Sequence, residues 1–136
     1  MVRPDGLEDA LNEWFVEAAP RMLVGDWEIK YDPEPPPPDC DAQVSTIERG
    51  VAWVNVSDNL LAQGARKQRR VLAHELAHLW LFPISALVES TSKLLGAEAA
   101  QLLGAQYEVL EEEVVERCAR LMEGQLPLPK LPDPEG

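Results

Sequence analysis

The sequence predicts an α+β fold: an N-terminal helix, a small three-stranded sheet, then a helical half. Three observations carry that expectation. Leu7, Leu11, Phe15 and Ala18 recur at helical spacing near the start. Short alternating runs between 27 and 56 are broken by proline and glycine. From 66 to 123 the apolar residues follow a helical period instead.

In chain order, residues 6–19 read as an amphipathic helix that stops at Pro20. Trp27-Glu28-Ile29-Lys30-Tyr31 alternates and reads as a strand. Residues 32–39 hold Pro33 and the run Pro35 to Pro38, a stiff spacer between strands, because proline fixes φ and donates no hydrogen bond. The other reading of 33–38 is a polyproline ligand for a partner protein. Residues 42–48 and Val51–Val56 are two further strands around a turn at Gly50, the second a candidate edge for binding an extended peptide. Helices are expected over 66–82, halted by Pro83, over 86–103, interrupted by glycines, and over 107–123, ended by Gly124. Residues 1–124 make one domain, and the proline-rich 125–136 is a non-helical tail.

Composition narrows the function classes. The 136 residues, 46% of them hydrophobic, suffice for a single core. Acidic residues outnumber basic ones 24 to 12, and a net charge of −12 argues against nucleic acid or an anionic membrane as partner. Cys40 and Cys118 are too few for a disulfide framework and read as reduced thiols. The acidic N-terminus does not resemble a signal peptide, and no apolar stretch approaches the ~20 residues that cross a bilayer. A soluble, cytoplasmic protein is expected.

The only two histidines stand four residues apart in His74-Glu75-Leu76-Ala77-His78, the pattern HExxH. Positions i and i+4 share a helix face, so both imidazoles can reach one metal ion. Zinc suits two neutral imidazoles, and a catalytic zinc site takes three protein ligands. Glu75 projects beside the metal and is placed to act as general base on a water. Val71, Leu72, Ala73, Leu76, Ala77, Leu79 and Leu81 make the helix apolar on most faces, as a buried core helix would be.

With no third histidine in the chain, the third ligand is expected to be a carboxylate. Glu111-Glu112-Glu113 offers three. At about 100° per residue Glu113 falls on the solvated face, Glu111 in the middle of the apolar face and Glu112 at its edge. The helical wheel alone favours Glu111. Glu112 has Glu116 one turn later, placed to hold the free N–H of a ligand histidine.

These residues resemble the gluzincin metallopeptidases, most closely the ImmA/IrrE type, and the small size is similar to the stand-alone minigluzincins. The pieces that carry the resemblance are Val51–Val56, the basic stretch Arg66-Lys67-Gln68-Arg69-Arg70, the motif from Val71 to His78, and Glu112 to Ala119. The resemblance implies a zincin-like fold, one Zn²⁺ held by His74, His78 and Glu112, and hydrolysis of peptide bonds, in known members often in a regulatory protein. Val71-Leu72 departs from the aromatic-Thr pair common before the motif, so chemistry carries over and substrate does not.

Candidates for the oxyanion partner are Tyr107, Arg117 and Tyr31. The basic cluster 66–70 reads as a docking patch for an acidic segment or nucleic acid, or as an exposed first turn that offsets the acidic surface. The tail reads as a disordered end or as a strap across the cleft that keeps the enzyme latent. The competing function is a catalytically silent zincin-fold module that binds a partner protein.

Overall fold

Leu7, Leu11, Trp14, Phe15 and Ala18 repeat every three or four residues, and they form the buried stripe of α1 (Leu7–Arg21). The computed structural model describes residues 3–134. α1 runs on through Pro20, where the sequence predicted its end. The residue that closes it is Leu23, in the left-handed conformation at φ 60. The Val24 N–H donates to the Ala19 carbonyl at 2.9 Å and the Leu23 N–H to that of Pro20 at 3.1 Å. This paired closure terminates the helix, and Pro20, in the last turn, costs it only one hydrogen bond. Leu11 is fully buried. Leu11→Ala is expected to lower stability to urea by about 2–5 kcal/mol, measured as a shifted midpoint.

The sheet is small and mixed. β1 (Glu28–Tyr31), β2 (Ala42–Glu48) and β3 (Val51–Val56) lie in the order β1-β3-β2. β1 pairs parallel with β3, in the register Glu28 to Val51 through Tyr31 to Val54, and β2 pairs antiparallel on the other side. The proline segment therefore connects two strands that are not neighbours, and Pro36 is buried within it. The β2–β3 turn carries Gly50 at φ 91, a conformation that favours glycine. β3 is the central strand, bonded on both sides. It offers no free edge, contrary to the sequence expectation, and that role falls to β2.

Ala52, Val54 and Val56 turn inward and are fully buried with Leu60, Leu72 and Leu76. α2 (Asp58–Leu61) is capped by Ser57, whose Oγ accepts from the Leu60 N–H at 3.0 Å. α3 (Ala65–His78) follows, burying Leu72, Ala73, Glu75, Leu76 and Ala77. It passes through a 3-10 turn (Leu79–Leu81) straight into α4 (Phe82–Ser92). Pro83 does not halt a helix but occupies the first turn of one, where its missing N–H needs no partner. α5 (Ala97–Met122) is one helix of 26 residues where the sequence suggested two. Gly104 lies inside it without a break, because the cost of about 1 kcal/mol per glycine is small against so long a helix.

The uninterrupted passage from α3 to α4 has a second consequence. Ala65–Ser92 spans 28 residues with a window of mean hydropathy 1.5, which by length and composition alone is enough to cross a membrane, a test that the core helix of a soluble protein passes as well. Its first half is the core helix just described.

The tail also differs from both sequence readings. After a 3-10 turn (Glu123–Gln125), Leu126 enters the core. The Trp14 indole N–H donates to the Pro127 carbonyl at 2.7 Å, Arg69 to that of Leu126 at 3.2 Å and Arg21 to that of Gln125 at 3.1 Å. Proline leaves its carbonyl free to accept, so an extended segment without helix still docks. The last two residues of the tail, 135–136, lie outside the described residues.

Candidate metal centre

α3 and α5 pack side by side in opposite directions, so that Arg70 meets Glu116, His74 meets Glu112 and His78 meets Glu111. The helical period puts His74 and His78 one turn apart, with ring centroids 5.1 Å from each other. Their Nε2 atoms converge on one carboxylate. His74 Nε2 lies 3.0 Å from Glu112 Oε2, and His78 Nε2 lies 3.1 Å from Glu112 Oε1. One donor atom from each of these three residues falls within 4.8 Å of the other two, a group that can hold a metal ion. Ligands about 2.1 Å from a tetrahedral metal stand about 3.4 Å apart. The donors are thus already near the spacing a single small cation requires.

The opposite ring nitrogens are also occupied. His74 Nδ1 lies 3.0 Å from Glu116 Oε2, and His78 Nδ1 lies 3.0 Å from Glu111 Oε2. Each imidazole therefore meets a carboxylate with both of its nitrogens, and a carboxylate without a proton only accepts. A neutral ring has one N–H and can satisfy one of them. Imidazolium ions, a protonated carboxyl or one cation on the Nε2 side each balance the arrangement.

Both outer carboxylates are anchored. Glu116 Oε1 accepts from Arg70 at 2.7 Å and from Arg120 at 3.1 Å. The Arg70 bond, helped by those of His74 and Arg120, pulls the Glu116 carboxyl down to about 2 despite partial burial. Glu111 Oε1 accepts from the Tyr107 hydroxyl at 2.8 Å. Burial and that bond raise the Tyr107 phenol well above its usual range.

Glu75 is 7% exposed, on the same helix between the two histidines. Burial first, then the charge of Glu112, pushes its carboxyl up to about 8, while a hydrogen bond from the Val44 backbone of β2 acts the other way. These residues line a cleft of about 710 Å³. One wall is β2 with Asp41, Gln43, Val44 and Thr46, and the opposite wall is α5 with Glu108, Glu111, Glu112 and Glu116. None of the described tail residues lines it, so a strap across the cleft is not what the tail forms.

The structure brings together His74, Glu75, His78, Glu112 and Glu116 from the sequence reading. It sets Glu111 against His78 Nδ1 rather than on the Nε2 side, where it stood as the alternative third ligand. Tyr107 does not line the cleft; its hydroxyl is spent on Glu111, which corrects its reading as an oxyanion partner. Arg117 pairs with Glu113 at the surface, and Tyr31 lies on β1, away from the cleft. The basic cluster is divided, because Arg70 holds Glu116 and Arg69 holds the tail. Sequence reasoning missed the Tyr107–Glu111 and Glu116–Arg120 pairs, although both sit at the i,i+4 spacing that lets helix side chains meet. No protein-family model, curated protein or solved structure matches the chain.

Proposed function

We propose that this chain is a zinc-dependent endopeptidase with Glu75 as its general base. The observation that carries the reading is the pair of imidazoles with carboxylates on both sides. A cation between the Nε2 atoms and Glu112 would leave each neutral ring its Nδ1 N–H to donate to Glu116 or Glu111. Two imidazoles and one carboxylate, each imidazole oriented by an outer carboxylate, are a donor set suited to catalytic zinc.

Zinc held by His74, His78 and Glu112 would polarise a peptide carbonyl and lower the pKa of a water. Glu75 takes the proton of the water that attacks that carbonyl and delivers it to the departing amine. Glu75 is buried on α3 between the two histidines and stands outside the donor group, the position a general base beside the metal needs. The free edge of β2 offers backbone groups to an extended peptide laid along the cleft. Cys40 and Cys118 are free thiols, which fits a reducing, cytoplasmic setting.

The test is hydrolysis by the zinc-loaded protein. Purified chain is expected to bind one equivalent of zinc by elemental analysis and to cleave an unfolded protein or a peptide library, with loss of cleavage on chelation. Full zinc occupancy with no cleavage of any offered peptide would point to the silent, partner-binding module instead.

A further inference from the structure

Two charged side chains of the metal cleft have no partner, and they stand at opposite ends of it. The others are engaged. Asp41 accepts from Asn59 at 3.0 Å, Glu111, Glu112 and Glu116 face the imidazoles, and Arg70 donates to Glu116. Glu75 is buried beside them. Lys67 and Glu108 also line the cleft, both exposed and, among the described residues, in no side-chain hydrogen bond or ion pair.

The opposed directions of α3 and α5 set these two apart. Arg70 meets Glu116 and His78 meets Glu111, so Lys67 lies beyond the Arg70 end and Glu108 beyond the His78 end. Lys67 precedes His74 by seven residues of α3, about 10 Å of helix axis. Glu108 precedes Glu112 by four residues of α5, about 6 Å. The donor group of the metal centre lies between them. An extended peptide rises about 3.3 Å per residue, so the two of its side chains that reach Glu108 and Lys67 are about five residues apart.

We propose that the cleft selects an extended peptide by its charge order, taking a basic side chain towards Glu108 and an acidic one towards Lys67, with the metal centre between. The inference rests on the reading of the cleft as a peptide site and adds the class of peptide. Backbone pairing along the free edge of β2 is indifferent to side chains, so selection falls to the groups that line the cleft. A charge already held by a neighbour has little to offer a ligand, whereas Lys67 and Glu108 need give up no partner. The reverse order sets like charge against like at both ends, so it is rejected as well as less attracted. Net charge alone does not produce this, because a chain carrying −12 draws a basic peptide whatever the order of its residues.

Two peptides of identical composition test it, with Lys and Glu about five residues apart in one chain order or the reverse and all other residues neutral. The zinc-loaded wild type is expected to favour one of them by about two- to tenfold in kcat/KM, the size of two exposed charge pairs turned from attraction to repulsion. The double variant Lys67→Glu with Glu108→Lys is expected to favour the other. Lys67→Gln and Glu108→Gln should each shrink the preference. Salt at about 1 M should largely remove it, since charges are then screened beyond about 3 Å. Fluorescence anisotropy of the same peptides, labelled, on Glu75→Gln protein repeats the comparison without turnover. If wild type cuts neither peptide while the binding preference holds and inverts with the two charges, the peptidase reading fails and the charge selection stands. The proposal is overturned if both peptides are treated alike in cleavage and in binding. It is also overturned if the double variant keeps the wild-type preference or, where that variant does not fold, if both glutamine variants keep it in full.

Discussion

Replacing Glu75 with glutamine is expected to lower kcat for peptide cleavage by about a hundred- to ten-thousand-fold while the protein keeps its metal. The size of the loss is that of removing a positioned general base. Retention of metal follows because Glu75 does not belong to the group His74, His78 and Glu112. The fold is expected to survive as well. Glu75 is almost fully buried, and the amide is nearly isosteric without a charge to desolvate. The glutamine cannot take a proton, so binding of substrate remains while turnover is lost. The measurement is cleavage rate alongside zinc content and melting temperature. A variant that cleaves at the wild-type rate removes Glu75 from the mechanism, and one that loses zinc moves it into the ligand set.

What the sequence made legible was local. HExxH spacing on an apolar helix is settled by 3.6 residues per turn, and the structure puts both imidazoles on one face of α3 as that period demands. The helical wheel put Glu111 in the apolar face, and it is the least exposed of the three glutamates, yet burial alone does not say which nitrogen a carboxylate meets. That depends on where α3 lies against α5, a contact between residues more than thirty apart. The order of the sheet was hidden for the same reason. Each strand was visible from its own alternation, but which one is central depends on non-local pairing. Pro83 and Gly104 were read as breaks. One falls where a first turn tolerates proline, and the other inside a helix long enough to carry it. The tail's prolines correctly excluded helix and said nothing of Trp14, whose indole is more than a hundred residues away.

Glu112→Ala is expected to leave a protein that loses zinc on dialysis, whereas Glu111→Ala keeps one equivalent at saturating zinc and binds it about 10- to 100-fold more weakly. The difference lies in which nitrogen each carboxylate faces. Glu112 presents one oxygen to each Nε2, at 3.0 and 3.1 Å, so its removal takes away the carboxylate that both rings face. Glu111 touches His78 at Nδ1 and is held there by Tyr107. Its loss frees that ring to turn and lowers its basicity, which is the usual weakening when an outer carboxylate is removed. Tyr107→Phe leaves Glu111 in place without its donor and should weaken zinc in the same direction by less. Competition with a chromophoric chelator reads all three affinities on one scale. If Glu111→Ala loses zinc while Glu112→Ala retains it, the two glutamates exchange roles, and α5 must sit rotated on α3 by about 100°, one residue of helix.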